Sequence, residues 1–529
     1  MALPTRDRLP LILIRGFGGL DVEDEKRIAY QGFNDGTVYP GKRGENYIYE
    51  GFILRFLKSS WRYHDATNVV GYYGSKVTDG QLPLPSELSF LDEKYFLDDK
   101  VVIDPAMALS LIRTEEDPLR TLWVFRYYDL DDRKFEVYGK ALVRLIDFIR
   151  SLTAYKRRDG SKPLVNIIAH SMGGLLVRET IQRTYPDLGR KADDHINKIV
   201  TLGTPHQGIS FQLLENWIGI KTGNEVKHFN PEFQKNSKNP VAFTRLGEQF
   251  PLNRILTVVG TNYRTYKVGA SSLNRLFSVS GEFGPTYNRS DGLVKQAYAQ
   301  IPDAPRTFIH KCHGGFDSLV TARESFEVAT RFFFGNIRAR LHLVEAKVLR
   351  GQDFFGKSEF FFGVSIKPRR VDFELFHQSV EAENCYGPFH KDDLSDTDVA
   401  FSWAGPNRLI WEGYLDTSSI LEDKSITVKD MVMRLDFYLG ERDIYGVGFS
   451  DNVIFRKQYY ARALLGNPFI LYIHTDERFA KEDFEASLSD EMRKVPGGWE
   501  FGVKGTGFEA TLRVEFDKIP TEGFPVQYD

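Results

Sequence analysis

The chain has 529 residues, of which 42% are hydrophobic and 27% are charged. This length predicts about two to four domains of roughly 150 residues each, and the composition is sufficient for large buried cores. The formal net charge of -3 gives no reason to expect nucleic-acid binding, because that affinity depends on lysine and arginine neutralising phosphates.

Two further exclusions concern disulfides and membrane segments. Cys312 and Cys385 are the two cysteines, and so sparse a pair predicts free thiols. Nowhere do 18 consecutive apolar residues occur, so no transmembrane helix is predicted. The N-terminal residues show neither an apolar segment nor a cleavage site, so we expect a cytoplasmic protein or one exported without a recognisable signal peptide.

The first part of the chain alternates between strand-like and helix-like patterns. An apolar run at residues 9–14 predicts a strand, and residues 20–118 then lack clean periodicity and are rich in aromatic residues. So long a stretch is not one loop in a compact domain, and we expect it to hold helices of its own. The elements predicted next are a strand at 121–128, a helix at 135–152, the strand and helix of 164–185, a strand at 196–202, an insertion at 209–253, strands at 254–260 and 306–310, and a helix at 319–333.

Strands that alternate with helices predict an α/β domain with a parallel, doubly wound sheet. After Gly335 the pattern changes to apolar residues at every second position, at 337–343, 360–366, 431–437 and 508–516. This alternation without intervening helices predicts an antiparallel β-sandwich. The predicted domains are therefore 1–335 and 336–529.

Residues 165–178 read V-N-I-I-A-H-S-M-G-G-L-L-V-R, and they carry the strongest functional signal. A short apolar run ends abruptly before Ser171, and a helical pattern follows. Strand, sharp turn and helix form the context of a nucleophile elbow, in which the turn exposes one serine hydroxyl. The backbone N–H of Met172 would then lie at a helix N-terminus, where it stabilises an oxyanion. The alternative is an ordinary strand-to-helix turn in another α/β protein.

The segment A-H-S-M-G-G resembles the elbow of lipases, although Ala169 replaces the usual first glycine. L-G-T-P-H-Q-G at 202–208 and S-D-G-L-V at 290–294 are also similar to segments of lipases and esterases of the α/β-hydrolase superfamily. The resemblance covers most of residues 9–335. R-G-F-G-G, starting at Arg15, resembles their His-Gly-Phe oxyanion loop, which implies that the N–H of Phe17 is the second oxyanion donor.

A nucleophilic serine needs a base and a carboxylate that orients the base, and in α/β-hydrolases the chain order is serine, acid, histidine. Ser171, Asp291 and His313 follow this order, and each of the last two follows a predicted strand. In the lipases that the chain resembles, the aspartate of the D-G-L-V segment is the catalytic acid, which implies this role for Asp291. His313 is preferred as the base because it lies past a strand and precedes two glycines.

Other residues compete for these roles. His310 is the rival base, although it would end a strand and pack there. Asp303 and Asp317 are the rival acids, and Asp291 itself could be a turn residue; Asp317 is expected to cap a helix that begins near Ser318. His206 precedes the acid in the chain, so we expect it to be structural.

Residues 340–368 resemble the opening strands of C2 domains. Asp353 matches the first Ca²⁺ ligand of that pattern, Glu359 stands where the second aspartate would be, and Asp443 lies in roughly the region of the third loop. Ca²⁺ takes six to eight oxygen ligands, so we expect a metal-free sandwich, with a Ca²⁺ site as the alternative. A C2-like module implies contact with a lipid surface or a protein partner.

Together these features predict a serine hydrolase that cleaves carboxylic esters, a lipase or esterase, with an ester or lipid as substrate and no cofactor required for catalysis. An amidase or thioesterase with the same triad is one alternative. A non-catalytic protein that binds a lipid or partner on a hydrolase scaffold is another. The insertions at 20–118 and 209–253 would form either a lid over an acyl pocket or a cover for the sheet edge.

Overall fold

A computed structural model gives the fold of this chain. The residues it describes are 8–16, 51–69, 85–92, 95, 105–125, 135–208, 228–264, 289–314, 317–349, 358–369, 373–379, 382, 384–391, 408–417, 430–443, 452–481 and 490–519. These residues divide into two compact units. The first comprises the described parts of Met1–Pro305 and Lys311–Ala329, and the second those of Arg306–His310 and Thr330–Thr521. The predicted domain boundary between 335 and 336 stays a prediction.

A parallel sheet forms the centre of the first unit. Its strands are β1 (Leu11–Ile14), β2 (His64–Val69), β3 (Thr121–Phe125), β4 (Val165–His170), β5 (Ile196–Leu202) and β6 (Ile255–Gly260), in the order β2-β3-β1-β4-β5-β6. Neighbouring strands in this order are parallel. Every residue of β3, β4 and β5 is buried, as expected for strands covered by helices on both faces.

Strand β2 is the one element of this sheet that the sequence pattern misses. It lies within the segment 20–118, where helices were expected, and its sequence H-D-A-T-N-V contains neither an apolar run nor strict alternation. The described part of that segment also contains helices, as predicted. The described part of this segment therefore contributes an edge strand to the sheet as well as helices.

The helices of the first unit follow the apolar spacing of the sequence. Residues 135–156 form one long helix whose buried face repeats Leu142, Leu145, Ile146 and Ile149, in agreement with the predicted pattern. The helices are α1 (Phe52–Lys58), α2 (Pro105–Arg113), α3 (Phe135–Lys156), α4 (Met172–Glu179), α5 (Pro231–Gln234), α6 (Phe243–Gln249) and α7 (Arg323–Phe334); α4 continues through a π-helical turn (Thr180–Thr184) to Tyr185–Asp187, and short 3₁₀ turns lie at Ser86–Leu88, Pro118–Arg120, Ala192–Asp194 and Leu252–Arg254.

The second unit holds two antiparallel five-stranded sheets, together with β7 (Arg306–Ile309). The strands are β8 (Ile337–Val348), β9 (Ser358–Pro368), β10 (Tyr386–Phe389), β11 (Leu409–Leu415), β12 (Asp430–Asp443), β13 (Asn452–Leu464), β14 (Ile470–His474), β15 (Arg493–Val495), β16 (Gly498–Lys504) and β17 (Phe508–Lys518), in the orders β10-β9-β12-β13-β14 and β11-β8-β17-β16-β15; a helix α8 (Glu477–Lys481) follows β14. The rings of Phe362 and Phe508 lie 5.9 Å apart across the sheets, as rings from facing sheets of a sandwich do. The predicted β-sandwich is confirmed.

Two details of this unit bear on the sequence predictions. Glu359 is paired with Arg442, so its charge is already compensated and Ca²⁺ would have to displace that arginine. Asp353 and the side chain of Asp443 lie outside the described residues. Within the described ranges, no group of three or more histidine, cysteine or acidic side chains is placed to hold a metal ion. The likeness to C2 domains stays a prediction.

Cys312 and Cys385 are free and buried, as predicted. Among the described residues, no helix combines the length and apolar character that spanning a bilayer requires.

Candidate active site

Ser171 stands at the turn between β4 and α4. Its backbone angles are φ 52° and ψ −126°, a conformation that non-glycine residues rarely adopt and that costs about 1–3 kcal/mol. The glycines that follow allow α4 to approach the sheet closely. A Cβ atom on Gly173 would lie 2.7 Å from the carbonyl oxygen of Arg15, and one on Gly174 would collide with the hydroxyl of Thr204. The sequence therefore produces the strained turn between strand and helix that the elbow pattern predicts.

The imidazole of His313 lies between Ser171 and Asp291. Its Nε2 is 2.9 Å from Ser171 Oγ, and its Nδ1 is 2.9 Å from Asp291 Oδ2. Because an ionised carboxylate only accepts, Nδ1 carries the proton and Nε2 is left to accept from the serine hydroxyl. All three side chains are largely buried, with residue exposures of 7%, 1% and 4% for Ser171, Asp291 and His313.

Asp291 is held by its own loop. Its Oδ1 accepts the backbone N–H groups of Leu293 at 3.0 Å and Val294 at 2.7 Å. This leaves Oδ2 for His313. Gly292 between them has φ +105°, which an L-residue rarely adopts, so the D-G-L-V segment needs its glycine to close this turn.

Two glycines leave room for Asp291 and His313. A Cβ atom on Gly203, at the end of β5, would lie 2.9 Å from Asp291 Oδ2 and 3.1 Å from His313 Nδ1. A Cβ atom on Gly260, the last residue of β6, would lie 2.7 Å from the Cβ of Asp291 and 2.8 Å from the carbonyl oxygen of Lys311. The carboxyl ends of these strands therefore carry glycine where the loops of Asp291 and His313 approach.

Of the two predicted oxyanion donors, Met172 lies within the described residues and Phe17 does not. Met172 is the first residue of α4, so its N–H is among those that the helix leaves without an intrahelical acceptor. Phe17 lies outside the described residues. Arg15, two positions before it, is completely buried at the end of β1.

The rival residues lie elsewhere. The ring of His310 lies 5.5 Å from that of His377. Asp303 is exposed on a turn with φ 63°. Asp317 forms an ion pair with Lys311 at 2.7 Å. The expectation that Asp317 caps a helix was wrong, because α7 begins at Arg323 and the carboxylate is used by the lysine instead.

Two further histidines are buried near the proposed triad segments. His206 Nε2 lies 3.0 Å from the hydroxyl of Thr201, which fits the structural role expected of it. Burial lowers the pKa of His206 well below its usual value. His170, which directly precedes the serine, donates to the carbonyl oxygen of His313 at 2.9 Å. Sequence reasoning missed this contact, and the only signal for it is the adjacency of His170 to Ser171.

A cavity of about 190 Å³ lies at the other end of the strands. Its lining includes His64 and Thr121, which begin β2 and β3, whereas Ser171 follows the end of β4. The ammonium of Lys156 there donates to three carbonyl oxygens, of Leu111, Thr114 and Glu116. The donors of Lys156 are therefore used by the backbone, and the cavity lies at the opposite end of the strands from Ser171 and His313.

Residues 113–262 match the model of the PGAP1-like alpha/beta domain. This match covers the elbow, and it agrees with the parallel strand order around it. The first unit has an α/β-hydrolase fold. The fold class predicted from the sequence is therefore confirmed.

Several solved structures are similar to the chain at low identity. A Bacillus licheniformis lipase, BlEst2 in mature form, is 17% identical and covers 42% of this chain and 86% of its own, with a TM-score of 0.29. The product of the Listeria innocua gene lin2722 is 14% identical and covers 62% and 94%, with a TM-score of 0.29. The phospholipase PlaB from Legionella pneumophila is 14% identical and covers 60% and 78%, with a TM-score of 0.26. No curated protein matches the chain significantly.

Proposed function

We propose that this protein is a serine hydrolase that cleaves carboxylic esters, with Ser171 as nucleophile, His313 as general base and Asp291 as the acid that orients it. The observation that carries the proposal is the continuous chain of hydrogen bonds from Asp291 Oδ2 through His313 to Ser171 Oγ, each 2.9 Å long. Ser171, at the end of these hydrogen bonds, lies on a strained turn at a helix N-terminus. Hydrogen bonds between nucleophile, base and orienting carboxylate define a serine-hydrolase site by geometry rather than by position in the chain.

In the first step, Ser171 Oγ attacks the ester carbonyl carbon while His313 Nε2 takes the hydroxyl proton. The negative charge moves to the carbonyl oxygen, where the N–H groups of Met172 and Phe17 would stabilise it. The tetrahedral intermediate then collapses, and the bond to the alcohol breaks as His313 returns the proton to the leaving oxygen. Asp291 holds the proton on Nδ1 and stabilises the imidazolium that forms in between.

In the second step, water attacks the acyl-enzyme. His313 Nε2 removes a proton from the water and later returns it to Ser171 Oγ, so that the acid is released and the enzyme is restored. Burial of all three side chains strengthens these interactions, because the electrostatic contribution of a fixed donor or carboxylate grows when water is excluded.

The proposal is tested by hydrolysis of p-nitrophenyl esters from acetate to palmitate, with wild type and Ser171→Ala side by side. Turnover that is lost in the variant would support a serine esterase, and the chain length with the highest kcat/KM would separate an esterase from a lipase. Equal rates in both proteins would show that Ser171 is not the nucleophile. The matching p-nitroanilides and thioesters, assayed in the same way, decide whether an amidase or thioesterase describes the chain better.

We also propose that the β-sandwich unit makes peripheral contact with lipid surfaces. The support for this is the resemblance of residues 340–368 to the opening strands of C2 domains. Sedimentation of the full chain with phosphatidylcholine vesicles and with vesicles containing phosphatidylserine, each with and without Ca²⁺, tests it. Failure to sediment with either vesicle contradicts the proposal, and binding that requires Ca²⁺ would identify a metal-dependent contact.

A further inference from the structure

His170 connects the strand that carries the nucleophile with the loop that carries the base. It is the last residue of β4 and is 1% exposed. Its Nε2 lies 2.9 Å from the carbonyl oxygen of His313, a residue 143 positions away in the chain. Because a carbonyl oxygen only accepts, His170 must be the donor, and its proton is therefore on Nε2.

The backbone of His313 is fixed on both of its polar groups. Its N–H donates to the carbonyl oxygen of Asp291 at 2.8 Å, and its carbonyl accepts from His170. Its ring is held by Asp291 Oδ2. Two of these three hydrogen bonds tie His313 to Asp291, whereas the bond from His170 ties it to β4, the strand directly before Ser171.

We propose that His170 is a positioning residue, which sets the distance between His313 Nε2 and Ser171 Oγ by tying the His313 carbonyl to the nucleophile strand. The inference rests on the proposed serine-hydrolase function. His170 does not touch the reacting atoms in this role. It acts through His313, whose Nε2 must stay within hydrogen-bond reach of the hydroxyl for proton transfer.

The environment of His170 suits a neutral donor. Burial and the charges of His313 and Arg15 lower its pKa well below the usual value, and they outweigh the hydrogen bond to the His313 carbonyl, which acts in the opposite direction. The two imidazole rings lie 4.8 Å apart, centroid to centroid. A neutral ring at this distance can donate to the His313 carbonyl without opposing the positive charge that His313 acquires during catalysis.

Two substitutions separate the hydrogen bond from mere packing. His170→Leu puts an apolar side chain of similar bulk in place of the imidazole and so removes the donor. His170→Gln can place an amide N–H near the position of Nε2. We expect kcat to fall by about 10²-fold in His170→Leu with KM changed by no more than about twofold, the scale of a misplacement near 1 Å. His170→Gln should recover at least about tenfold of that loss. His206→Gln, which changes another fully buried histidine, is the matched control and should leave kcat per folded molecule unchanged.

The outcomes that overturn the proposal are distinct. A wild-type kcat in His170→Leu would show that the hydrogen bond to the His313 carbonyl is not needed. Equal losses of kcat in His170→Leu and His170→Gln would show that His170 does not act by donating this hydrogen bond. A role in proton transfer would abolish one limb of the pH profile of kcat/KM in His170→Gln, whereas positioning leaves both limbs in place. If His170→Leu does not fold, His170→Asn, whose amide is too short to reach, takes its place.

A structural measurement keeps this inference separate from the proposed function. In crystal structures of the variants, the distance from His313 Nε2 to Ser171 Oγ should exceed about 3.5 Å in His170→Leu and stay near its present value in His170→Gln. This reading requires no turnover. An unchanged distance in His170→Leu overturns the positioning role, whereas absence of Ser171-dependent hydrolysis in the wild type overturns the proposed function alone.

Discussion

Two regions of the molecule bring a carboxylate, an imidazole and a serine hydroxyl into one chain of hydrogen bonds. In the first unit, Asp291, His313 and Ser171 come from three separate segments of the chain. In the second unit, Glu374 pairs with His377 Nδ1, and His377 Nε2 lies 3.2 Å from Ser379 Oγ. These three residues lie within a single short segment.

The two serines differ in how their hydroxyls are used. Ser379 Oγ also accepts the backbone N–H of Ala382 at 3.1 Å, so it closes a local turn. Ser171 instead stands on a strained elbow at the start of α4, with its side chain aimed at the base. The same residue types in the same contact order therefore also occur where the serine hydroxyl closes a local turn. The strained turn and the helix N-terminus distinguish the first region, because the hydroxyl of Ser171 faces His313 and the N–H of Met172 has no acceptor within the helix.

The largest effect expected from this comparison is on the serines. Ser171→Ala should lower kcat for ester hydrolysis by about 10⁶-fold, as loss of the nucleophile does in other serine hydrolases. Ser379→Ala, the matched change in the second region, should leave kcat unchanged. Steady-state kinetics on one p-nitrophenyl ester measure both, and covalent labelling by a fluorophosphonate should likewise require Ser171. A loss of labelling in Ser379→Ala alone would reverse the comparison.

The next largest difference in kcat is expected between substitutions of the two carboxylates, Asp291 and Glu374. Asp291→Asn should lower kcat by roughly 10⁴-fold, because an amide cannot both accept the N–H groups of Leu293 and Val294 and accept from His313 Nδ1. The imidazole would then be held in the wrong tautomer. Glu374→Gln is the control in the second region and should leave kcat at the wild-type value. Equal activity of Asp291→Asn and wild type would mean that another carboxylate orients the base.

A third prediction concerns the space that glycine leaves behind the triad. A methyl group on Gly260 would lie within 2.8 Å of both the Asp291 Cβ and the Lys311 carbonyl oxygen, so the acid or the base loop must shift. Gly260→Ala should therefore lower kcat by about 10²-fold. Gly247→Ala is the matched control, because its methyl group would meet only ordinary contacts at 3.7 Å or more within a helix. That variant should keep full activity and gain up to about 1 kcal/mol of stability.

Most of this site could be predicted from the sequence because its signals are local. The elbow is a strand, a serine and a helix in one segment, and D-G-L-V closes its turn with its own backbone. The fold class followed from alternating apolar runs and helical spacing. Strand β2 could not be predicted in this way, because its polar residues take their strand conformation from pairing with β3 rather than from their own pattern.

The contact between His170 and His313 illustrates what local patterns leave out. It joins residues 143 positions apart, and it depends on where the loop of His313 meets the end of β4. Asp317 shows the converse error. Its position before a predicted helix favoured a helix cap. The helix α7 begins only at Arg323, however, and the carboxylate of Asp317 forms an ion pair with Lys311. Short-range signals therefore predict the turns, whereas the partners of buried polar groups require the assembled fold.

A smaller effect should appear in the pH dependence of stability. In the first unit, burial and then the charges of Arg150 and Arg190 lower the pKa of His195 to about 4, and burial holds the pKa of His206 well below its usual value. An unfolded histidine has a pKa of about 6.5, so between pH 6.5 and 4 the unfolded chain binds more protons than the folded one. The unfolding free energy should fall as pH falls, by up to about 1.4 kcal/mol per pH unit for each histidine.

Urea unfolding at pH 7 and pH 5.5 measures this effect. His206→Gln removes one of the titrating groups. The unfolding free energy should therefore fall less between the two pH values in the variant than in wild type, and the difference is the part that one histidine contributes. Ser379→Ala serves as the control and should retain the full wild-type dependence. An unchanged pH dependence in His206→Gln would show that this histidine does not contribute, and that the acid sensitivity of the fold arises elsewhere.

The smallest expected effect returns to the second region, where the carboxylate should contribute to stability rather than to catalysis. Burial would raise the pKa of Glu374, but the hydrogen bond with His377 and the charges of His377, Lys367 and Arg434 outweigh it, so the pKa lies below its usual range. A carboxylate with a lowered pKa stabilises the fold above its unfolded pKa of about 4.3, and this contribution is lost as pH falls through the folded pKa.

Glu374→Gln should therefore lower the unfolding free energy by no more than about 1 kcal/mol at pH 7, as expected of a partly exposed pair, and by less at pH 3.5. Urea titrations of the variant and wild type at both pH values provide the measurement. A loss of esterase activity at pH 7 without this change in stability would mean that the second region takes part in catalysis.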